Sequence, residues 1–273
     1  MNIIISIVVI TMLFCTEEET YTFINQMNAG HILKYKVDQL INIELGGAGE
    51  LQQGSNYILT KRFLGEKGGF HLIESTMTKM ISTNVFLDRA ATDFNNTELN
   101  NIPCILYIDK DGKIDHIESE YPHLEEAFKM HYLAMGHSTE LYPFGKDAIN
   151  ISKGQTWTMK LDSLSVFLGD GSLESIMSYD AIFTLKKVKI KKGRKIAYIN
   201  EEAQVKCDLQ MIVGNEYMEG IQTGVFETSY IYDIEAGEII LHKMSADMYG
   251  EYEMNDMTFT SPLNISNIMK RQK

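Results

Sequence analysis

Proline is nearly missing from this chain, with 4 in 273 residues. Together with 20 glycines, that excludes collagen-like and proline-rich disordered sequences. Cysteine is scarce at 3, too few for a disulfide-framed mini-domain. Basic residues are outnumbered, 25 Lys and Arg against 37 Asp and Glu, leaving a net charge of −12. A chain of that sign lacks the positive field that phosphate backbones require, so nucleic acid is not an expected partner. The catalytic signatures are missing as well: no Gly-x-Ser-x-Gly, no His-Glu-x-x-His, no phosphate loop and no dinucleotide glycine pattern. No catalytic residue, cofactor or metal is therefore assigned from the sequence.

No apolar run reaches the roughly 20 residues that a membrane-crossing helix needs. The longest, Ile3 to Phe14, has the length of a signal h-region. Cys15 follows it, and then Thr16, Glu17, Glu18 and Glu19. A cysteine closing an h-region resembles a bacterial lipoprotein signal, in which that residue is acylated. Phe14 departs from the small residue the pattern wants before the cysteine. Lipidation at Cys15 and an ordinary or uncleaved signal segment both stay open. Either expectation places the protein outside the cytoplasm, in the periplasm or at the outer membrane of a bacterial envelope. Cys104 and Cys207 remain; in an oxidising compartment they can pair, though nothing in the sequence brings them together, and the apolar face around Cys207 favours a buried free thiol.

What the chain does have is long alternation. Leu33, Tyr35, Val37, Ile41, Ile43 and Leu45 share one face against Lys34, Lys36, Asp38, Asn42 and Glu44. Period two predicts a strand with one side inward. Gln39 interrupts it, and Ser163 interrupts the related run from Trp157, which predicts a bulge or bend in both. Residues 195–213 and 240–254 repeat the pattern, with Glu201 as the one acid on an inward face, expected at a strand edge or bulge. Turns are predicted at Glu66-Lys67-Gly68-Gly69, Lys191-Lys192-Gly193-Arg194, Lys110-Asp111-Gly112 and Glu235-Ala236-Gly237.

A faint duplication links these runs. Lys36, Asp38, Leu40, Gly47, Glu50, Thr60, Lys67 and Gly69 recur 124 residues later, as Lys36 does at Lys160. At a spacing of 125, Tyr107, Gly112 and Ile114 meet Tyr232, Gly237 and Ile239. The expectation is a mainly β protein with one or few helices: two related antiparallel units forming large curved sheets or a half-barrel. One helix, residues 122–136, lies between them. Pro122 opens it, Leu124, Ala127, Phe128, Tyr132 and Met135 form its apolar stripe, and Gly136 ends it. The boundaries read as a signal over 1–15, a tether over 16–30, a first repeat over 31–120, a connecting helix and linker over 121–145, a second repeat over 146–260 and a basic, fraying tail over 261–273.

Leu141-Tyr142-Pro143-Phe144 with Ile149, Ile151, Gly154 and Trp157, and later Tyr232-Asp233 with Gly237, resemble a family of exported bacterial β-rich proteins. Its marks are a Gly-x-x-Trp strand and a Tyr-Asp-x-x-x-Gly hairpin, over most of residues 31–258. The resemblance implies location and β architecture and brings no activity. More distantly, curved strands under a covering helix are similar to the half-barrels of periplasmic lipoprotein carriers and lipid-binding lipoproteins, an analogy of fold alone.

The functional lead is the apolar stripe of Trp157, Met211, Met244, Met248, Tyr252 and Met254, with Leu124 and Phe128 of the helix above it. Bulky, adaptable side chains of this kind suit a lipid or apolar small molecule. His242 among these methionines would suit soft copper, but the methionines simply follow the apolar period. The expectation is a non-enzymatic, envelope-anchored binding scaffold, held to the membrane through lipidated Cys15. A surface-displayed interaction module and a hydrolase with scattered residues are the alternatives. The lysines of 186–195 allow contact with anionic headgroups or a plain solvated hairpin.

Overall fold

The computed structural model describes residues 19–24, 28–44, 50–86, 89–94, 98–109, 114–125, 127–128, 132, 148–167, 173–213, 216–255 and 257–272. Two short strands, β1 (Thr20–Phe23) and β8 (Ile149–Ser152), pair as a separate antiparallel ribbon. The others are β2 (Ile32–Glu44), β3 (Glu50–Lys67), β4 (Phe70–Phe86), β5 (Arg89–Phe94), β6 (Pro103–Ile108), β7 (Ile114–Ser119), β9 (Thr156–Phe167), β10 (Leu173–Lys191), β11 (Arg194–Val213), β12 (Glu216–Asp233), β13 (Glu238–Met254) and β14 (Met257–Arg271). They form one 12-stranded antiparallel sheet in the order β7-β6-β4-β3-β2-β14-β13-β12-β11-β10-β9, with β5 beside β4. The sheet is open, ending at β7 and β9. The expected mainly β architecture of curved antiparallel sheet is therefore what the chain adopts.

The halves repeat one strand order, β2-β3-β4-β6-β7 and β9-β10-β11-β12-β13, and follow one another head to tail across the sheet. The spacing of 124 holds at two matching turns. Gly30 and Gly154 both have positive φ, 84° and 85°. Gly30 N donates to Phe63 O and Phe63 N to His31 O, and Gly154 N donates to Leu185 O and Leu185 N to Gln155 O; the turn residues keep the spacing of 124, while their partners Phe63 and Leu185 are 122 apart. The spacing also holds in the β3–β4 and β10–β11 hairpins. Ile73 and Ser75 are buried at the positions of Ala197 and Ile199.

The 125 spacing does not hold. The register sets Leu106 against Ile73 and Tyr232 against Ala197, so Leu106, not Tyr107, is the counterpart of Tyr232. Tyr107 points outward and stacks on His116, with ring centroids 4.0 Å apart. A shift of one residue swaps the faces of a strand, and Tyr232 is fully buried.

Strand β14 joins the halves, pairing with β13 along its length and with β2 from Leu263 to Arg271. This corrects the expectation of a fraying tail after Pro262. Proline lacks an N–H, and pairing with β2 starts one residue after it. There the Ser261 hydroxyl donates to Glu44 O at 2.5 Å. At the other end of the strand, buried Glu238 of β13 is held at 2.6 Å by His31 Nε2 and also by Arg271.

Each half has its own core under its own cover. In the first, Leu124, Phe128 and Tyr132 are buried against Tyr57, Leu59, Met77 and Leu106. Pro122–Leu124 is a 3-10 turn, and Glu125, Ala127, Phe128 and Tyr132 have helical backbone. The rest of the expected 122–136 helix lies outside the described residues. In the second half the β1–β8 ribbon is the cover, with Phe23 and Ile151 buried against Phe183, Ile199 and Tyr232. The Tyr232 hydroxyl donates to Ile24 O at 2.8 Å, and burial pushes its pKa up.

Candidate ligand-binding face

Cross-strand register places one continuous set of side chains on the inward face. Glu201, Thr228, Met244, Asn267, Gln39, Ser55 and Ser82 are successive partners across seven strands, β11 to β14, then β2 to β4. All seven are buried, so a mostly polar row crosses the interior. Buried polar groups persist only where hydrogen bonds replace water. Tyr230 donates its hydroxyl to Glu201 Oε2 at 2.8 Å, and the Ser55 and Ser82 hydroxyls meet at 3.3 Å.

The row corrects two expectations. Glu201 lies in a central strand and not at an edge; the nearest register shift, between Leu185 and Lys187 of β10, falls opposite Ile199 and Tyr198, two residues away. Gln39 lies in an unbroken β2–β3 register. The bulge appears only in the second copy, where the β9–β10 register shifts between Met177 and Tyr179, opposite Leu164 and Leu161.

His242 stands one step above the row, in contact with Tyr230 at 5.1 Å between ring centroids. Burial, then nearby Lys61, lowers its pKa to about 3, so its ring is neutral across the physiological range. Lys61 is buried too, its Nζ 5.9 Å from the centre of the Tyr132 ring, and Tyr132 is hydrogen-bonded to Ser75.

Below the row, toward the β13–β14 turn, the inward face becomes apolar and half open. Phe226, Ala246, Ile265 and Ile41 form one row, and Gly224, Met248, Leu263 and Ile43 the next. Phe226, Ile265, Ile41, Leu263, Ile43, Met254 and Phe259 are each only partly buried. Glycines on β12 and β13 keep this floor low. The Tyr252 side chain lies over Gly220 and Gly250: an added Cβ would overlap its ring at Gly220 and its ring and hydroxyl at Gly250. Tyr252 stacks on Phe259 at 5.3 Å and accepts from Gln222 Nε2 at 2.5 Å.

The stripe expected from sequence is divided by the fold. Leu124 and Phe128 belong to the first core. Trp157 stacks on Phe183 in the second core, at 5.2 Å, and Met248 is buried in that same core. Met244 lies in the polar row, while Tyr252 and Met254 lie in the open lower part. Met211 is in β11, in register with Met218 and Leu173. Cys15 lies outside the described residues. Sequence reasoning missed Phe226, Leu263 and Ile265. Their signal is the period-two pattern of 216–233 and 257–271, obscured by interspersed glycine, serine and threonine.

The opposite face is solvated. Glu202, Gln204, Lys206, Asp208 and Gln210 of β11 are exposed, as are Lys243, Asp247, Glu251 and Glu253 of β13. Ile176, Ile182, Ile221, Tyr249 and Ile268 are exposed on the same face, which therefore mixes charged and apolar side chains. Two grooves of about 500 and 590 Å³ mark this outer face, the first lined by Ile176, Asp208, Ile221 and Glu251, the second by Ile182, Lys186, Glu202 and Glu227. Among the described residues no group of His, Cys, Asp and Glu is arranged to hold a metal ion.

No family model matches the chain, and no curated protein matches it. Among solved structures, it is similar to the beta domain of the Bordetella autotransporter BrkA, at 7% identity over 89% of this chain and 99% of that one, with a TM-score of 0.26. It is similar also to OmpT, an outer membrane protein of Vibrio cholerae, at 7% identity, 90% and 100% coverage and a TM-score of 0.24. OccK2 of Pseudomonas aeruginosa matches at 6% identity, 90% and 99% coverage and a TM-score of 0.24. Scores this low carry no argument about fold or function.

Proposed function

We propose that the protein is a non-enzymatic, exported scaffold of the bacterial envelope that holds an apolar ligand or lipid against the lower inward face of its sheet. The observation carrying this reading is the half-open apolar surface of Phe226, Leu263, Ile265, Met254 and Phe259, continuous with a closed core above it. A surface of this kind gains about 25 cal/mol for each Å² of apolar area that a ligand removes from water. The apolar segment before Cys15 supports export, and acylation of Cys15 would fix the scaffold to a membrane.

The test is native mass spectrometry of the full chain taken from its own membranes, followed by organic extraction. The expected result is a stoichiometric apolar molecule, lost in Phe226→Ser and Leu263→Glu variants that keep their β-sheet circular dichroism. A clean polypeptide mass from the wild type overturns the ligand reading. A diacyl or triacyl mass on Cys15 reports the anchor independently.

A further inference from the structure

The β10–β11 hairpin carries a feature its fold does not require. Lys186, Lys187, Lys189, Lys191, Lys192, Arg194 and Lys195 crowd its tip, in a chain whose net charge is −12. Arg194 is paired with Asp233 at 2.8 Å and Lys195 with Glu19 at 3.6 Å. The remaining five lysines have no acidic partner among the described residues. Two of them, Lys187 and Lys191, lie 5.0 and 5.3 Å from the centre of the Tyr198 ring. On the other face of the strand from Lys189 and Lys191, beside Lys195, Ile190 is 74% exposed, the most exposed of the described large apolar side chains.

The internal repeat supplies the control. The equivalent β3–β4 hairpin turns through Gly68 and Gly69, with φ of 63° and 88°, where this one uses Lys192 and Gly193, with φ of 52° and 79°. The first hairpin is charge-balanced: Arg62 pairs with Glu74 at 3.4 Å, and Glu66 with His71 at 3.3 Å. The same turn forms without excess cations. In the second copy a lysine even occupies a left-handed position that costs a non-glycine residue strain.

Position decides what the tip faces. Lys195 joins the hairpin to the start of β1, by its ion pair with Glu19 and by its place 5.4 Å from the Tyr21 ring centre. Glu19 follows Cys15 by four residues, at most about 14 Å of extended chain. Any membrane that holds the apolar segment ending at Cys15 lies within reach of the lysines.

We infer that the β10–β11 tip is a second membrane contact, which docks on an anionic bilayer surface with its lysines against lipid phosphates and Ile190 in the interface. Stable anchoring commonly takes two signals, an apolar one and a polybasic one. A lysine at an anionic surface is worth roughly a fivefold gain in partitioning, screened by salt. The inference rests on the envelope reading for location only. It is independent of the ligand reading, because extraction reports on the inward face and vesicle docking on the tip.

The experiment uses the full chain with Cys15→Ser and Ile190→Cys, labelled at position 190 with a polarity-sensitive fluorophore; Cys104 and Cys207 are buried. Vesicles of phosphatidylcholine alone are compared with vesicles holding about 30% phosphatidylglycerol. The expected result is a blue shift only with the anionic vesicles, abolished by about 0.5 M salt. Combined Lys189→Glu, Lys191→Glu and Lys192→Glu changes should weaken anionic vesicle binding by roughly tenfold or more. In unlabelled chain, Ile190→Ser should weaken it several-fold. Emission that ignores lipid charge, or survives the triple reversal, overturns the inference. Equal binding to a soluble polyanion with no effect of Ile190→Ser also overturns it, and would mark a polyanion site instead.

Discussion

The ring of Tyr252 lies flat over Gly220, its cross-strand partner, in the space that a Cβ at position 220 would fill. The ring also covers Gly250 on its own strand, so one aromatic side chain roofs two glycines and replaces the apolar contacts they lack. Gly220→Ala overlaps the ring and meets Glu251 O at 2.6 Å, so backbone as well as side chain must move. The expected loss is about 1–3 kcal/mol in urea unfolding. Tyr252→Ala in the same background should give back part of that loss. If the Gly220→Ala protein is as stable as wild type, the packing described is wrong.

His242 makes stability sensitive to acid. Its folded pKa, about 3, lies below the ordinary histidine value near 6.5, so the unfolded chain takes up its proton first. Its contribution is complete above about pH 6.5 and falls as pH drops toward 3, by up to about 1.4 kcal/mol per pH unit. His242→Gln should flatten this limb. The check is the unfolding free energy of both proteins at several pH values between 4 and 7; parallel curves would remove His242 from the account.

The Tyr230 hydroxyl supports a buried carboxylate, Glu201. Tyr230→Phe removes a buried donor and leaves Glu201 Oε2 without it, and should cost about 1–3 kcal/mol. Combining it with Glu201→Gln should cost less than the sum of the two changes, since the pair interacts directly. Additive losses in a double-mutant cycle would count against the bond.

Lys192 occupies a left-handed conformation that its counterpart Gly68 adopts without strain. Lys192→Gly is expected to raise stability by up to about 1 kcal/mol, the relief of strain outweighing the added freedom of the unfolded chain. A thermal melt that is unchanged or lower would show the turn to be relaxed as it stands.

Cys104 and Cys207 are buried free thiols, and burial raises the pKa of Cys207. Raised pKa and lost access both slow thiolate chemistry. In native protein, both should react with a thiol reagent far more slowly than in denaturant, where two further equivalents appear. Fast labelling of either residue in the folded protein would contradict its placement.

Alternation, turn glycines and the faint repeat were enough to read the β architecture, because strand faces and turns are local matters. The hairpins at Gly68-Gly69 and Lys192-Gly193 appear where the sequence puts them. Register is a different matter. The Tyr107 and Tyr232 match looked right by letter and was wrong by one residue, since only pairing with Ile73 and Ala197 fixes which face each presents. The sequence marked Glu201 as an intruder, but its burial beside Tyr230 depends on a partner 29 residues away. The stripe of Trp157, Met248, Leu124 and Phe128 could be listed from periodicity, yet its division between two covered cores could not. Covers are long-range contacts, and β14 reaches β2 across nearly the whole chain. The lysine-rich tip is plain in the sequence. That it stands beside Glu19, at the foot of the N-terminal segment, is a decision of the tertiary structure, because only packing of the β1–β8 ribbon brings residues so distant in the chain together.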